Sequence, residues 1–200
     1  METINTNTLV AESLKTAMSY TAYRALTIEH AANKTSTGAN QSEAYVNYTK
    51  LGDARMRRLD KTVKISEEIQ AVAESVKTNK TWLVISESWC GDAANALPVI
   101  NKIAALNENI DLKIVLRDEN LELMNQFLTN GGMSIPKLIQ IENDEVTATW
   151  GPRPTVATQM VNDFKEANGG LTPEFKESLQ VWYNKDKGQN IASDISALLS

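Results

Sequence analysis

At 200 residues, with 42% hydrophobic and 22% charged side chains, the chain is long enough to bury a sizeable core and reads as an ordinary globular protein. A net charge of -5 argues against nucleic acid as a partner, because phosphate binding needs a concentrated positive face. The lone cysteine excludes an internal disulfide framework. No run approaches the roughly eighteen apolar residues of a membrane span, and Met1 to Asn5 lack a secretory pattern, so a cytoplasmic protein with no membrane partner is expected.

Residues 8–32 place Leu9, Val10, Leu14, Ala17, Met18, Ala22, Leu26 and Ile28 at helical spacing, which predicts a single long helix. His30, with no second histidine, reads as a surface or cap residue, and no metal site or cofactor is expected. Residues 33–41 read as a loop. From Ser42 to about Lys77 a second helical tract is expected, broken at Gly52 and again near Thr62. Within it Arg55, Arg57, Arg58, Lys61 and Lys64 form a basic cluster. Such a cluster could bind an anion, but a solvated helix face balanced by Glu67, Glu68 and Glu74 is the preferred reading. Tyr20, Tyr23, Tyr45 and Tyr48 could pack this layer onto the rest of the chain or line its cleft.

Thr81 to Ser86 is an apolar, β-branched run that predicts a buried strand. It leads into Ser88-Trp89-Cys90-Gly91-Asp92-Ala93-Ala94, after which Leu97, Ile100, Ile103, Ala104 and Leu106 recur on one helical face. Asp92 is placed as the helix cap. Cys90 then sits at a helix N-terminus, where backbone N–H groups and the dipole stabilise a thiolate, so a lowered thiol pKa is expected, with Asp92 and Glu87 opposing it. A second strand, Leu112 to Leu116, should run parallel to the first. Arg117 to Asn120 then open a helix from Leu121 to Leu128, ended by Gly131 and Gly132. Pro136 precedes a strand, Lys137 to Ile141, that returns through a turn as Val146 to Trp150. Gly151-Pro152-Arg153-Pro154 breaks the hairpin. Helices follow over 155–167, with Val156, Met160, Val161 and Phe164 inward, then after Pro173, and over 191–199.

The strand ending in Trp89-Cys90-Gly91, Pro98 eight residues beyond the cysteine, and Ser134-Ile135-Pro136 ahead of another strand resemble the thioredoxin family. Together with Trp-Cys-Gly-Asp-Ala, Arg-Asp-Glu-Asn and Gly-Pro-Arg-Pro, they look like a bacterial thioredoxin-like subfamily. The resemblance implies an α/β fold, a four-stranded mixed sheet flanked by helices, over 80–168, with a helical extension at 1–79 and further helices at 169–200. It implies a cis bond at Ile135-Pro136, facing Cys90 and presenting backbone to an extended substrate. Trp89, Gly91 and Asp92 would shape the substrate-binding rim.

The departures narrow the chemistry. Thioredoxins resolve a mixed disulfide with a second cysteine three residues on, where this chain has Ala93. Their buried aspartate before the first cysteine is replaced by Val84. Cys90 could therefore act as a monothiol thiol-disulfide oxidoreductase, using an external thiol to resolve it, with protein or low-molecular-weight thiols and disulfides as partners. It could instead belong to a binding module that kept the cleft without redox turnover. A third possibility, a shared iron-sulfur cluster, ranks last, and an inert buried thiol stands against all three.

Overall fold

The computed structural model describes residues 5–199. Helix α1 (Thr6–Thr16) and strand β1 (Met18–Ser19) lead into α2 (Tyr20–Asn33), α3 (Glu43–Thr62) and α4 (Glu67–Glu74). Strand β2 (Lys80–Ser86), α5 (Gly91–Ala104), β3 (Ile110–Leu116) and α6 (Leu121–Gln126) follow. The hairpin β4 (Lys137–Glu142) and β5 (Glu145–Trp150) then precedes α7 (Thr155–Asn168), α8 (Pro173–Asp186) and α9 (Gln189–Ser196).

The result is an α/β fold around a mixed sheet of five strands in the order β1-β3-β2-β4-β5. β2 runs parallel to β3 and antiparallel to β4, while β5 and the short β1 form the edges. A central strand covered on both faces needs apolar side chains on both, which is why β2 reads as a continuous run rather than an alternating one. Trp82, Leu83, Val84 and Ile85 are all fully buried, and the Trp82 indole N–H donates to Gln140 on β4 at 2.9 Å. The β4–β5 turn has Asn143 and Asp144 at positive φ, the left-handed pair that a two-residue hairpin loop requires.

Several elements depart from expectation. The helix expected over 8–32 is interrupted at Ala17, because Met18 and Ser19 hydrogen-bond to β3 and the Ser19 hydroxyl then caps α2. Gly52 does not break α3. It lets the helix approach the chain before Cys90 so closely that a Cβ there would lie 3.0 Å from the Ser88 carbonyl. The break expected near Thr62 is present: α3 ends there with Val63 as its C-cap, and α4 resumes at Glu67. Helix α6 stops at Gln126, short of Leu128, and Val156 on α7 is exposed while Ala157 turns inward.

Helix α5 is buried on all sides. Its apolar face meets the sheet, and α3 and α9 cover it elsewhere, so even Asn95 is enclosed and donates to the Gly91 carbonyl at 2.9 Å. One hydrophobic core runs continuously from Val10 and Tyr23 through β2 and α5 to Ile191 and Ile195.

The loop after α2 is fastened to the end of β2 by buried hydrogen bonds. The Thr37 hydroxyl donates to the Glu87 carboxylate and accepts the Ser88 N–H at 2.9 Å, and the Thr37 N–H donates to the Ser88 hydroxyl at 3.0 Å. The Asp118 N–H donates to the other Glu87 oxygen at 2.9 Å, and Thr49 of α3 lies 2.9 Å from the Ser88 hydroxyl. Burial pushes the Glu87 pKa up, and these donors pull it back. Thr37→Val would remove one of the two donors to the buried Glu87 carboxylate and the acceptor of the buried Ser88 N–H. A stability loss of about 2–3 kcal/mol is expected by urea unfolding, and a loss below about 0.5 kcal/mol would show that the clamp is dispensable.

Candidate functional site

The route from β2 into α5 delivers Cys90 to the floor of a cleft of about 440 Å³, within the roughly 300–1,000 Å³ range of small-ligand pockets. Cys90 itself, rather than Asp92, is the helix cap: its sulfur accepts the Ala93 N–H at 3.4 Å, and Asp92 lies in the first turn. The thiol donates to the Ile135 carbonyl at 3.2 Å. The Ile135-Pro136 bond is cis, as is Gly151-Pro152. Ile135 lines the cleft, while Pro136 is buried behind it.

Gly151 adopts φ +110°, and a Cβ there would collide with the Pro136 carbonyl. Glycine is therefore needed at this crossing, which carries Pro152 and Arg153 to the cleft. The Arg153 guanidinium lies 2.7 Å from the Asp92 carboxylate, and the Tyr183 hydroxyl of α8 donates to the same carboxylate at 3.0 Å. Asp92 is thus held by its neighbours as a wall of the cleft. Burial pushes its pKa up, Arg153 and Tyr183 oppose the rise, and the Tyr183 phenol is itself pushed up by burial and by Asp92.

Trp89 forms the opposite rim. Tyr45 packs on it with ring centroids 4.7 Å apart, and the Arg117 guanidinium sits 4.8 Å from its ring centre while pairing with Asp118 at 2.8 Å. Gly91 leaves room for Arg55 of α3: a Cβ on Gly91 would lie 3.0 Å from its Nη1. Of the four tyrosines noted in the sequence, Tyr45 and Tyr48 line the cleft. Tyr23 is fully buried against Ser86, and Tyr20 bonds Asp60.

The expected lowering of the Cys90 pKa is overturned. The residue is only 7% exposed, and its thiol is pushed up to about 12, first by burial and then by the Asp92 carboxylate. The N–H groups of Ala93 and Asp92 and the Arg153 charge favour the thiolate, but too weakly to prevail. Helix position is a fraction of a charge, whereas removing a whole charge from water is the larger effect.

Cys90, Trp89, Gly91, Asp92 and Ile135 thus converge on one cleft, with Pro136 behind it. Arg55, Arg117, Arg153 and Tyr183 were missed as site residues. Arg55 lay inside the cluster read as a solvated face. Arg57, Arg58, Lys61 and Lys64 do face solvent, and Arg57 pairs with Asp53 rather than with the later glutamates. Its position near Gly52, the glycine of closest approach, is the one signal that set Arg55 apart.

Comparison with known proteins places this geometry. No curated protein matches the chain. Among solved structures, a protein of unknown function from Pseudomonas aeruginosa aligns at 17% identity and TM-score 0.58, covering 74% of this chain and 84% of its own. An HIV epitope scaffold aligns at 15% identity and TM-score 0.63, covering 94% and 96% respectively. At such identities these similarities concern the fold. The family model described as thioredoxin matches residues 38–165, more than half of the chain and all of the cleft's β2–α5 and Ile135 walls. With that match, the chain belongs to the thioredoxin family.

Proposed function

We propose that Cys90 is the nucleophile of a slow monothiol thiol-disulfide exchange, carried out on a disulfide that enters the cleft against the Ile135 backbone. The observation that carries the reading is the Cys90 thiol hydrogen-bonded to the Ile135 carbonyl at the floor of an open cleft. In the exchange the thiol gives its proton to solvent, and its sulfur bonds one sulfur of the disulfide. The other sulfur leaves as a thiolate and takes up a proton. With no second cysteine in the chain, an external thiol must attack the mixed disulfide and restore Cys90.

The raised pKa sets the rate rather than forbidding the step. Moving a thiol from 9.0 to about 12 lowers its thiolate fraction at neutral pH about a thousandfold. The more basic thiolate is intrinsically more nucleophilic by about fifteen- to thirtyfold, which leaves exchange roughly thirty- to sixtyfold slower than for an ordinary thiol. That same burial favours the second reading, a binding cleft without turnover in which Cys90 is a structural cap.

Incubation with hydroxyethyl disulfide separates the two. Exchange predicts a single reductant-sensitive mercaptoethanol adduct by intact mass, absent from Cys90→Ser. No adduct on the native protein after prolonged incubation would leave only the binding reading.

Alkylation by iodoacetamide at neutral pH should be at least roughly thirtyfold slower for native Cys90 than for the denatured chain. Asp92→Asn removes the largest charge opposing the thiolate, so alkylation should speed, by about three- to fourfold for each unit the thiol pKa falls. An unchanged rate would show that Asp92 does not tune the sulfur.

The pKa also links to stability. A thiol raised from 9.0 to about 12 on folding keeps its proton in the native state where the unfolded chain has lost it. Its contribution is complete below pH 9.0 and is lost as the pH rises toward about 12. Cys90→Ser should therefore show a flatter loss of unfolding free energy across that alkaline window, measured by urea titration.

A further inference from the structure

Arg55 reaches this cleft from α3, beside Gly91. Arg153 pairs with Asp92 and Arg117 with Asp118, whereas Arg55 has no hydrogen-bond or ion-pair partner among the described residues. It is half buried. Burial pulls its pKa down and Arg58 pulls it further, with Asp92 and the Cys90 sulfur opposing. A partly desolvated guanidinium that bonds no protein anion favours an anionic ligand beside it.

The rest of the lining agrees. Asp92 is the one carboxylate among the residues lining the cleft, and Arg153 and Tyr183 already occupy it. Lys176 adds a further cation at the rim.

We propose that the cleft takes a small thiol or disulfide bearing a carboxylate, and that Arg55 anchors that carboxylate. The inference rests on the reading that a sulfur ligand enters over Cys90, and it specifies the class of that ligand. Arg55 Nη1 lies 3.0 Å from the Cβ position of Gly91, the residue next to Cys90, so a carboxylate a few bonds from a ligand sulfur can reach it. A guanidinium supplies the paired N–H donors that a carboxylate accepts in parallel.

Three symmetric disulfides of similar length separate charge from sulfur chemistry: dithiodipropionate carries two carboxylates, hydroxyethyl disulfide none, and cystamine two ammonium groups. Calorimetry on the Cys90→Ser protein reads binding where no exchange can occur. Dithiodipropionate is expected to bind at least about tenfold more tightly than either of the others, and added salt should narrow the gap. Introducing Arg55→Ala should erase the preference, while Arg55→Lys should keep part of it, with near-ultraviolet circular dichroism checking the fold of each variant. Equal affinity for the three disulfides, or an undiminished preference in Arg55→Ala, would overturn the proposal. The adduct test with neutral hydroxyethyl disulfide on native protein reports separately on exchange. Its failure alongside an intact charge preference removes the chemistry and leaves the carboxylate site standing.

Discussion

Everything at the cleft depends on how the two residues after β2 are held. Glu87 and Ser88 are buried polar groups at a strand end, where ladder hydrogen bonds have run out, and each would be costly without a partner. Thr37, Thr49 and the Asp118 N–H provide those partners from three different parts of the chain. The clamp fixes the direction in which the chain leaves the sheet, and therefore where α5 starts and where the sulfur of its cap lies. It also ties the helical extension to the core: Thr37, in the loop after α2, supplies hydrogen bonds that the sheet cannot make for itself.

The sulfur sits between opposing influences of unequal size. Converging N–H groups and Arg153 favour charge on it, while enclosure and Asp92 disfavour it, and the second pair prevails. In a two-cysteine relative, the resolving thiol and a buried acid would share the cleft. Here Ala93 and Val84 take those places, and both are fully buried apolar side chains. Neither position can put a charge or a second thiol beside the sulfur, and burial holds the thiol protonated.

Much of the architecture was legible from local pattern. The β2 run, the turn at Asn143 and Asp144, and the periodicity of α5 each follow from residue chemistry that acts over a few neighbours. Breaks set by distant partners were not. Ala17 ends a helix because Met18 pairs with Ile114, nearly a hundred positions away, and Gly52 stays helical because packing against Ser88 rewards a missing side chain. The site divided the same way. Cys90, Trp89, Asp92 and Ile135 were visible as motif. Arg55, Arg153 and Tyr183 come from three separate elements, and nothing in their own surroundings says that they meet. The direction of the thiol pKa was misjudged for a related reason: a helix start can be read from sequence, but the depth at which it lies cannot.

One consequence of the enclosed sulfur concerns oxidative damage. Peroxide attacks thiolates, and its first product, a sulfenic acid, proceeds to sulfinic acid when nothing intercepts it. A chain with one cysteine has no neighbouring thiol to do so. Keeping that atom protonated and donating to the Ile135 carbonyl lowers the share of thiolate on which peroxide can act.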